Sequence, residues 1–335
     1  MAASSRSASG KKFWLLGGII LLAIALYTAG WFYAAHQLEK TVLKAITPKD
    51  KETAAVTGQC QDIDFRGYPF RIGLFCSKVT VDDRSHGISA SFGELRSAAQ
   101  VYQPQHIVWE LDSPAEIRDA EGMAVNAEWK NMQSSLVTKS GGIERSSTVV
   151  DGLQANATFS RTDQAMSLTA DHTEAHLRQN GPDLDGAFSF SGAVITIKDW
   201  PNVLPKFSGT GDVTLAGKAG LIDGSDGKGL RGSSGELRNL AADLGDGRIM
   251  TLTGPFSFND QGYLSGKFKL KISELDQWRK SAKAAFPDLG KSIDSVSKLL
   301  KAMAIGSNSV SVDLVVDQGQ ATVSGFIPLG SIPPI

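Results

Sequence analysis

The chain has 335 residues, 41% of them hydrophobic and 21% charged, with a formal net charge of −1 at pH 7. So even a balance leaves no electrostatic footprint for nucleic acid, and this apolar fraction excludes a wholly disordered chain. Two cysteines exclude a disulfide-dense scaffold, while 35 glycines announce many tight turns.

In chain order, residues 1–12 are rich in Ser and Ala with Arg6, Lys11 and Lys12, the composition of a disordered cytoplasmic tail. Phe13 to Tyr33 (FWLLGGIILLAIALYTAGWFY) then runs without a charge. About 21 residues make about 31 Å of helix, enough to cross the hydrocarbon core of a bilayer. Trp14 at one end and Trp31 and Tyr33 at the other stand where membrane-interface aromatics stand. A signal peptide's apolar region is usually about 7–15 residues and ends in a small-x-small site. This run is longer and has no such site before Trp31, so it reads as an uncleaved transmembrane helix.

Flanking charge orients the helix only slightly, with Lys40, Lys44, Lys49 and Lys51 following the run. Cys60 and Cys76 supply the stronger argument. A lone pair in strand-like segments suits a disulfide in an oxidising compartment, where closing the loop contributes about 3 kcal/mol in the chain-entropy model. Buried free thiols in a cytoplasmic domain are the alternative. A zinc or redox pair lacks C-x-x-C spacing and a histidine cluster. The resulting topology is a cytoplasmic N-terminus, a single pass through the inner (cell) membrane, and a periplasmic bulk.

Leu38, Val42, Leu43 and Ile46 continue the helical spacing to about Thr47, and Pro48 opens a linker, so residues 34–55 read as helical extension and linker. Residues 56–335 read as a β-rich domain. Its first stretch, Cys60 to Asp83, alternates on both sides of a Gly67-Tyr68-Pro69 turn. A simple hairpin centred on Tyr68 would set Asp62 and Asp64 opposite Leu74 and Ile72. Either a bulge shifts the register or the two strands are not neighbours.

Period-two alternation then recurs. Ile107, Trp109 and Leu111 carry it, followed by Met123, Val125 and Ala127, then Leu153, Ala155 and Ala157, and Met166, Leu168 and Ala170. Phe188 with Phe190, Val213 with Leu215, Phe256 with Phe258, Phe268 with Leu270, and Val310 to Val316 complete the series. Short strands between Gly, Asn and Asp turns, with no βαβ rhythm, predict a mainly β fold built on a large antiparallel sheet. Ile197 running towards Asp199-Trp200 and Ile272 running towards Asp276-Gln277-Trp278 suggest two related halves, 56–190 and 191–335. Near the C-terminus, Ser273-Glu274-Leu275-Asp276 resembles a capping signal. Leu275, Trp278, Ala282 and Phe286, and beyond Pro287 also Leu289, Ile293, Val296, Leu300 and Met303, predict an amphipathic helix pair.

Chemistry finds no foothold. Gly227-Lys228-Gly229-Leu230-Arg231-Gly232 matches G-x-G-x-x-G, yet lies in a Gly/Asp/Ser loop with no helix start after it. Asp223 and Asp226 leave the EF-hand pattern incomplete. His172 and His176 have metal-ligand spacing for a helix, but their segment alternates as a strand, where residues four apart are roughly 13 Å distant. No nucleophile elbow is present. The reading is therefore of a protein that is not an enzyme, with no metal, cofactor or nucleic acid.

The C-x15-C around Gly67-Tyr68-Pro69-Phe70-Arg71, the VYQPQHIVWELDSPAEI segment and the closing Ile332-Pro333-Pro334 resemble a Gram-negative bacterial family catalogued as domain of unknown function 2125. The resemblance implies an envelope protein and brings no activity with it. The anchor and glycine-punctuated strands look, more distantly, like AsmA-type envelope proteins, which are implicated in moving or organising lipid along a β-sheet groove. Two functional readings follow. One is a non-catalytic, bilayer-anchored protein that binds or shields lipid or another apolar envelope component. The other is an interaction scaffold that holds envelope proteins and no small ligand.

Overall fold

The computed structural model describes residues 8–46, 56–139, 142–200, 205–227, 229–303, 308–325 and 327–335. The apolar run forms helix α1 (Ala8–Ile46), with Trp14 85% and Leu21 69% exposed. Residues 8–12 of the stretch that composition reads as a disordered tail belong to the helix, because extending a helix is easy once a neighbouring run has nucleated it, and residues 1–7 lie outside the described residues. The last described residue of the helix is Ile46. The linker to residue 55, and the side chains of Val42, Leu43 and Ile46, lie outside the described residues.

The strands of the first half are β1 (Val56–Gln61), β2 (Asp64–Arg66), β3 (Arg71–Cys76), β4 (Lys78–Asp83), β5 (Ile88–Phe92), β6 (Leu95–Gln100), β7 (Gln103–Leu111), β8 (Ala115–Asp119), β9 (Met123–Glu128), β10 (Asn131–Lys139) and β11 (Gly142–Phe159). They form two arms. One runs β3-β6-β7-β10 and meets the first half of β11; the other runs β1-β4-β5-β8-β9 and meets its second half. Gly152 lies at the junction with φ of 64°, a left-handed conformation that glycine adopts without steric cost. Val150 and Leu153 on either side of it thus reach the same core, with Ala115 and Trp129 at its centre and Phe92 and Leu111 packed around them. The Trp129 indole donates to the Leu111 carbonyl at 2.7 Å, tying one arm to the other.

The cysteine problem resolves here. Cys60 and Cys76 are disulfide-bonded with Cα atoms 5.2 Å apart, joining β1 to β3 at the open ends of the arms. Both of the possibilities left by the alternation apply in part. β2 does pair with β3, but in a displaced register with Asp64 opposite Phe75 and Phe65 opposite Leu74. The strand carrying Cys60 pairs instead with β4, where Cys60 faces Val79. The break between β1 and β2 is Asp62, at φ 51°, whose carboxylate accepts the Ser77 hydroxyl at 2.7 Å.

The second half is a meander of β12 (Gln164–Asn180), β13 (Asp183–Ile197), β14 (Phe207–Ala216), β15 (Ser234–Asp243), β16 (Ile249–Phe258), β17 (Leu264–Ile272), β18 (Val310–Asp317), β19 (Gln320–Val323) and β20 (Ile327–Ser331). Each pairs antiparallel with the next, and β11 with β12 carries the ladder from the first half into the second. The fold is thus mainly β, as the alternation predicts. Residues 190 and 191, where a boundary between halves was expected, are consecutive residues of β13.

The expected helix pair is present as α2 (Leu275–Ala285) and α3 (Gly290–Met303), inserted between β17 and β18. The capping signal is not used as predicted. Glu274 is left-handed and its side chain caps nothing. The Leu275 N–H instead donates to the Asn308 carbonyl at 3.1 Å, and Asn308 is held in place by donating its side-chain amide to Glu274 at 2.7 Å. A residue some thirty positions later does what the local motif was expected to do.

Candidate apolar binding face

Residues directly opposed on neighbouring strands project to one face of a sheet. In β12 to β18 such a row reads Ala175, Phe188, Gly211, Leu240, Leu252, Leu270, Val312. The parallel row two residues along reads Thr173, Phe190, Gly209, Ala242, Met250, Ile272, Val310. Between them, on the opposite face, lies Glu174, Ser189, Thr210, Ala241, Thr251, Lys271, Ser311. One face of this sheet is therefore apolar across its width and the other polar.

The glycines shape the apolar face. A side chain on Gly211 or Gly209 would collide with the Phe188 or Phe190 ring, so each ring lies flat across the neighbouring strand. The two rings stack with centroids 6.4 Å apart, and Phe207 meets Phe190 edge-on at 5.4 Å. At the β18 end this face is covered: Leu300 of α3 packs, with Leu270 and Ile272, against the buried cluster of Val310, Val312 and Val323. Over the middle of β12 to β15 it is open, with Leu177 41%, Phe188 43% and Leu240 38% exposed, whereas Leu184 of the same face, near the β12–β13 turn, is buried. Between the regimes a groove of about 350 Å³ runs under the helix pair, lined by Met250, Ile272, Trp278, Ala282 and Ile293. Phe188 to Leu270 crosses four strand spacings, about 19 Å at about 4.8 Å each, longer than the roughly 15 Å of hydrocarbon in one leaflet.

On the polar face several charged groups partner one another. Asp185, buried, accepts hydrogen bonds from Arg178 and Thr214 at 2.7 Å each and from Arg238 at 3.1 Å. Arg178, Thr214 and Arg238 hold its carboxyl down at about 2. His172 and His176 do lie on a strand, bridged by Glu174 at 2.9 and 3.2 Å. Hydrogen bonds to Glu174 and Asp151 raise the His172 pKa above its ordinary value. Among the described residues no group of three or more His, Cys, Asp or Glu side chains is arranged to hold a metal ion.

A second concavity, of about 590 Å³, lies in the first half between Arg71, Phe75, Val108, Glu110 and Val149. Its Arg96 is already engaged, bidentate to Asp112 at 2.7 and 2.8 Å and 3.3 Å from Glu110. The described residues of the G-x-G-x-x-G stretch are loop, as its context predicts, with Gly229 and Gly232 at φ 60° and 66° and strand β15 rather than a helix after it. Asp226 accepts from buried Lys218 at 2.9 Å and Asp223 from the Ser225 N–H at 3.1 Å.

The Gly67–Arg71 motif and the apolar helix α1 meet. Tyr27 donates its hydroxyl to the Pro69 carbonyl, Thr28 and Tyr68 hydroxyls lie 2.7 Å apart, and the Trp31 indole donates to the Arg71 carbonyl at 3.0 Å. Tyr68 packs on Trp31 and Phe32 with centroids 5.5 and 5.9 Å away. Trp31, read above as a membrane-interface residue, is only 7% exposed. Its ring and N–H are taken up by the turn, so it joins helix to sheet. Trp14 and Tyr33, at 85% and 67% exposed, keep outward positions. Gly67, at φ 120°, closes the turn by accepting the Arg71 N–H at 2.9 Å.

A family model described as an uncharacterized protein conserved in bacteria, DUF2125, matches residues 31–333. That range holds the disulfide, the apolar face and, of the joint with α1, Trp31 and the Gly67–Arg71 turn, while Tyr27 and Thr28 precede it. No curated protein and no solved structure matches the chain.

Proposed function

The chain belongs to the DUF2125 family of bacterial proteins, and on that footing we propose that it is a non-catalytic envelope protein which holds lipid acyl chains on the open face of its second-half sheet. The observation that carries the reading is the apolar row from Ala175 to Leu270, exposed at Phe188 and Leu240 and leading to the groove beneath α2 and α3. A monomer that leaves such a surface to water pays for it in solubility unless something apolar covers it. In this reading α1 is a retained anchor in the inner membrane and the sheet stands on the periplasmic side, where Cys60 and Cys76 remain oxidised.

Ligand selectivity would come from shape. The glycine strand β14 lets the phenyl rings lie flat, giving a smooth strip suited to methylene chains and without hydrogen-bonding groups to single out a head group. The test is to purify the full chain from its membrane in mild detergent and identify bound lipid by mass spectrometry. Wild type is expected to carry more phospholipid than the Phe188→Asp/Leu240→Asp double variant, while lipid around α1 is common to both. Equal lipid content in two folded proteins would remove this reading and leave the envelope scaffold.

A further inference from the structure

We propose that the Gly67–Phe70 turn, together with the adjoining Val101–Tyr102 turn, is set into the outer part of the lipid leaflet beside α1. The inference rests on α1 being a retained transmembrane helix and goes beyond acyl-chain binding, because it concerns how deep the sheet sits. The first observation is position. Tyr27 and Thr28, which bond Pro69 and Tyr68, belong to the uncharged run and lie well before its end at Tyr33. At 1.5 Å per residue, six residues separate Tyr27 from Tyr33 by about 9 Å along the helix. A turn fastened at Tyr27 cannot stand clear of the membrane unless the helix is drawn out with it.

The second observation is the backbone. Irregular chain survives at membrane depth only where its polar groups find partners within the protein. The Gly67 carbonyl accepts the Arg71 N–H at 2.9 Å and the Phe70 carbonyl the Val101 N–H at 3.0 Å. The Pro69 carbonyl takes the Tyr27 hydroxyl, and the Arg71 carbonyl takes the Trp31 indole N–H at 3.0 Å. Pro69 has no N–H to satisfy. Two of these donors come from α1 itself, so the carbonyls of Gly67, Pro69, Phe70 and Arg71 are satisfied without water.

The third observation is what faces out. Phe70 is 69% and Tyr102 76% exposed, with Tyr68 at 45% and Val101 at 38%. No charged residue lies within either turn. Aromatic side chains of this kind are those enriched at membrane interfaces. Leaflet lipid is the occupant because the tip is continuous with a helix surface that is itself exposed and apolar.

The experiment uses the full chain in phosphatidylcholine–phosphatidylglycerol vesicles, with Phe70→Cys and Tyr102→Cys each labelled by an environment-sensitive fluorophore. The native cysteines are paired and do not react. Leu21→Cys marks the bilayer interior and Gln261→Cys an exposed turn elsewhere. The probes at 70 and 102 are expected to be quenched by lipids carrying a nitroxide high on the acyl chain, and to resist aqueous iodide several-fold better than the probe at 261. Iodide quenching at 70 equal to that at 261, with the probe at 21 still reading lipid, overturns the inference. Protection from both quenchers would mean protein contact and overturns it as well. If the probe at 21 also fails to read lipid, the retained anchor itself is wrong, and the insertion falls with it.

Discussion

The two halves of the sheet use the same alternation of apolar and polar residues to opposite ends. In the first half the sheet forks and the arms fold over one core, with Trp129 and Ala115 at 8% and 4% exposure and Cys60–Cys76 joining the arm ends. In the second half strands β12 to β15 present an equally apolar row with no layer over it, and Phe188 remains 43% exposed. Alternation specifies which side of a strand is apolar. What covers that side depends on whether the chain returns over it, which the pattern does not encode.

The largest test of the contrast is a pair of truncations. Trp129→Ala removes a ring packed between the arms and the bond to Leu111, and is expected to cost about 3–5 kcal/mol in denaturant unfolding. Phe188→Ala, on the open strip, is expected to cost about 1 kcal/mol or less. Equal costs would mean that the second face is covered after all.

Next is the disulfide. Cys76→Ser should lower stability by about 3 kcal/mol, with hydrogen-exchange protection lost first in β1 to β4 and retained in β14 to β17. Uniform loss across both halves would show that the fork is not a separable unit. A smaller effect belongs to the polar side of the open sheet. The Asp185 carboxyl is held at about 2, below its unfolded value, so its stabilisation is complete above the unfolded pKa and is lost as pH falls towards 2. Melting temperature against pH should therefore drop less steeply in acid for Asp185→Asn than for wild type.

The smallest effect is opposite in sign. His172 is raised above its ordinary pKa by hydrogen bonds to Glu174 and Asp151, so its contribution is complete below the unfolded value and fades as pH rises through the folded one. His172→Gln should flatten the stability profile above the ordinary histidine pKa. A profile unchanged by the substitution would show that the Asp151–His172–Glu174 contacts do not persist in solution.

Much of this architecture was legible beforehand. Runs such as Ile107-Trp109-Leu111 and Val310 to Val316 are strands because β-branched and aromatic residues alternate there between turn formers. Strand β10 was not legible: Asn131, Gln133, Ser134 and Ser135 give it little apolar signal, and it holds its place through ladders to β7 and β11. The fork was hidden because it depends on one long strand, β11, taking different partners along its two halves around Gly152. The contact of Tyr68 with α1 could not be inferred from local pattern, since a turn and a helix some forty residues apart share no periodicity. In the candidate site, Phe188 and Phe190 could be seen as strand residues; that glycines face them across the ladder required the register.

The most direct test of the open face is site-specific photo-crosslinking in the full chain mixed with phospholipid vesicles, with a benzophenone side chain at position 188 or at its strand neighbour 189. The account predicts phospholipid adducts at 188, on the apolar row, and few at 189, which sits opposite Glu174 and Thr210 on the polar face. Absence of lipid adducts at 188, or equal yields at both positions, would contradict it.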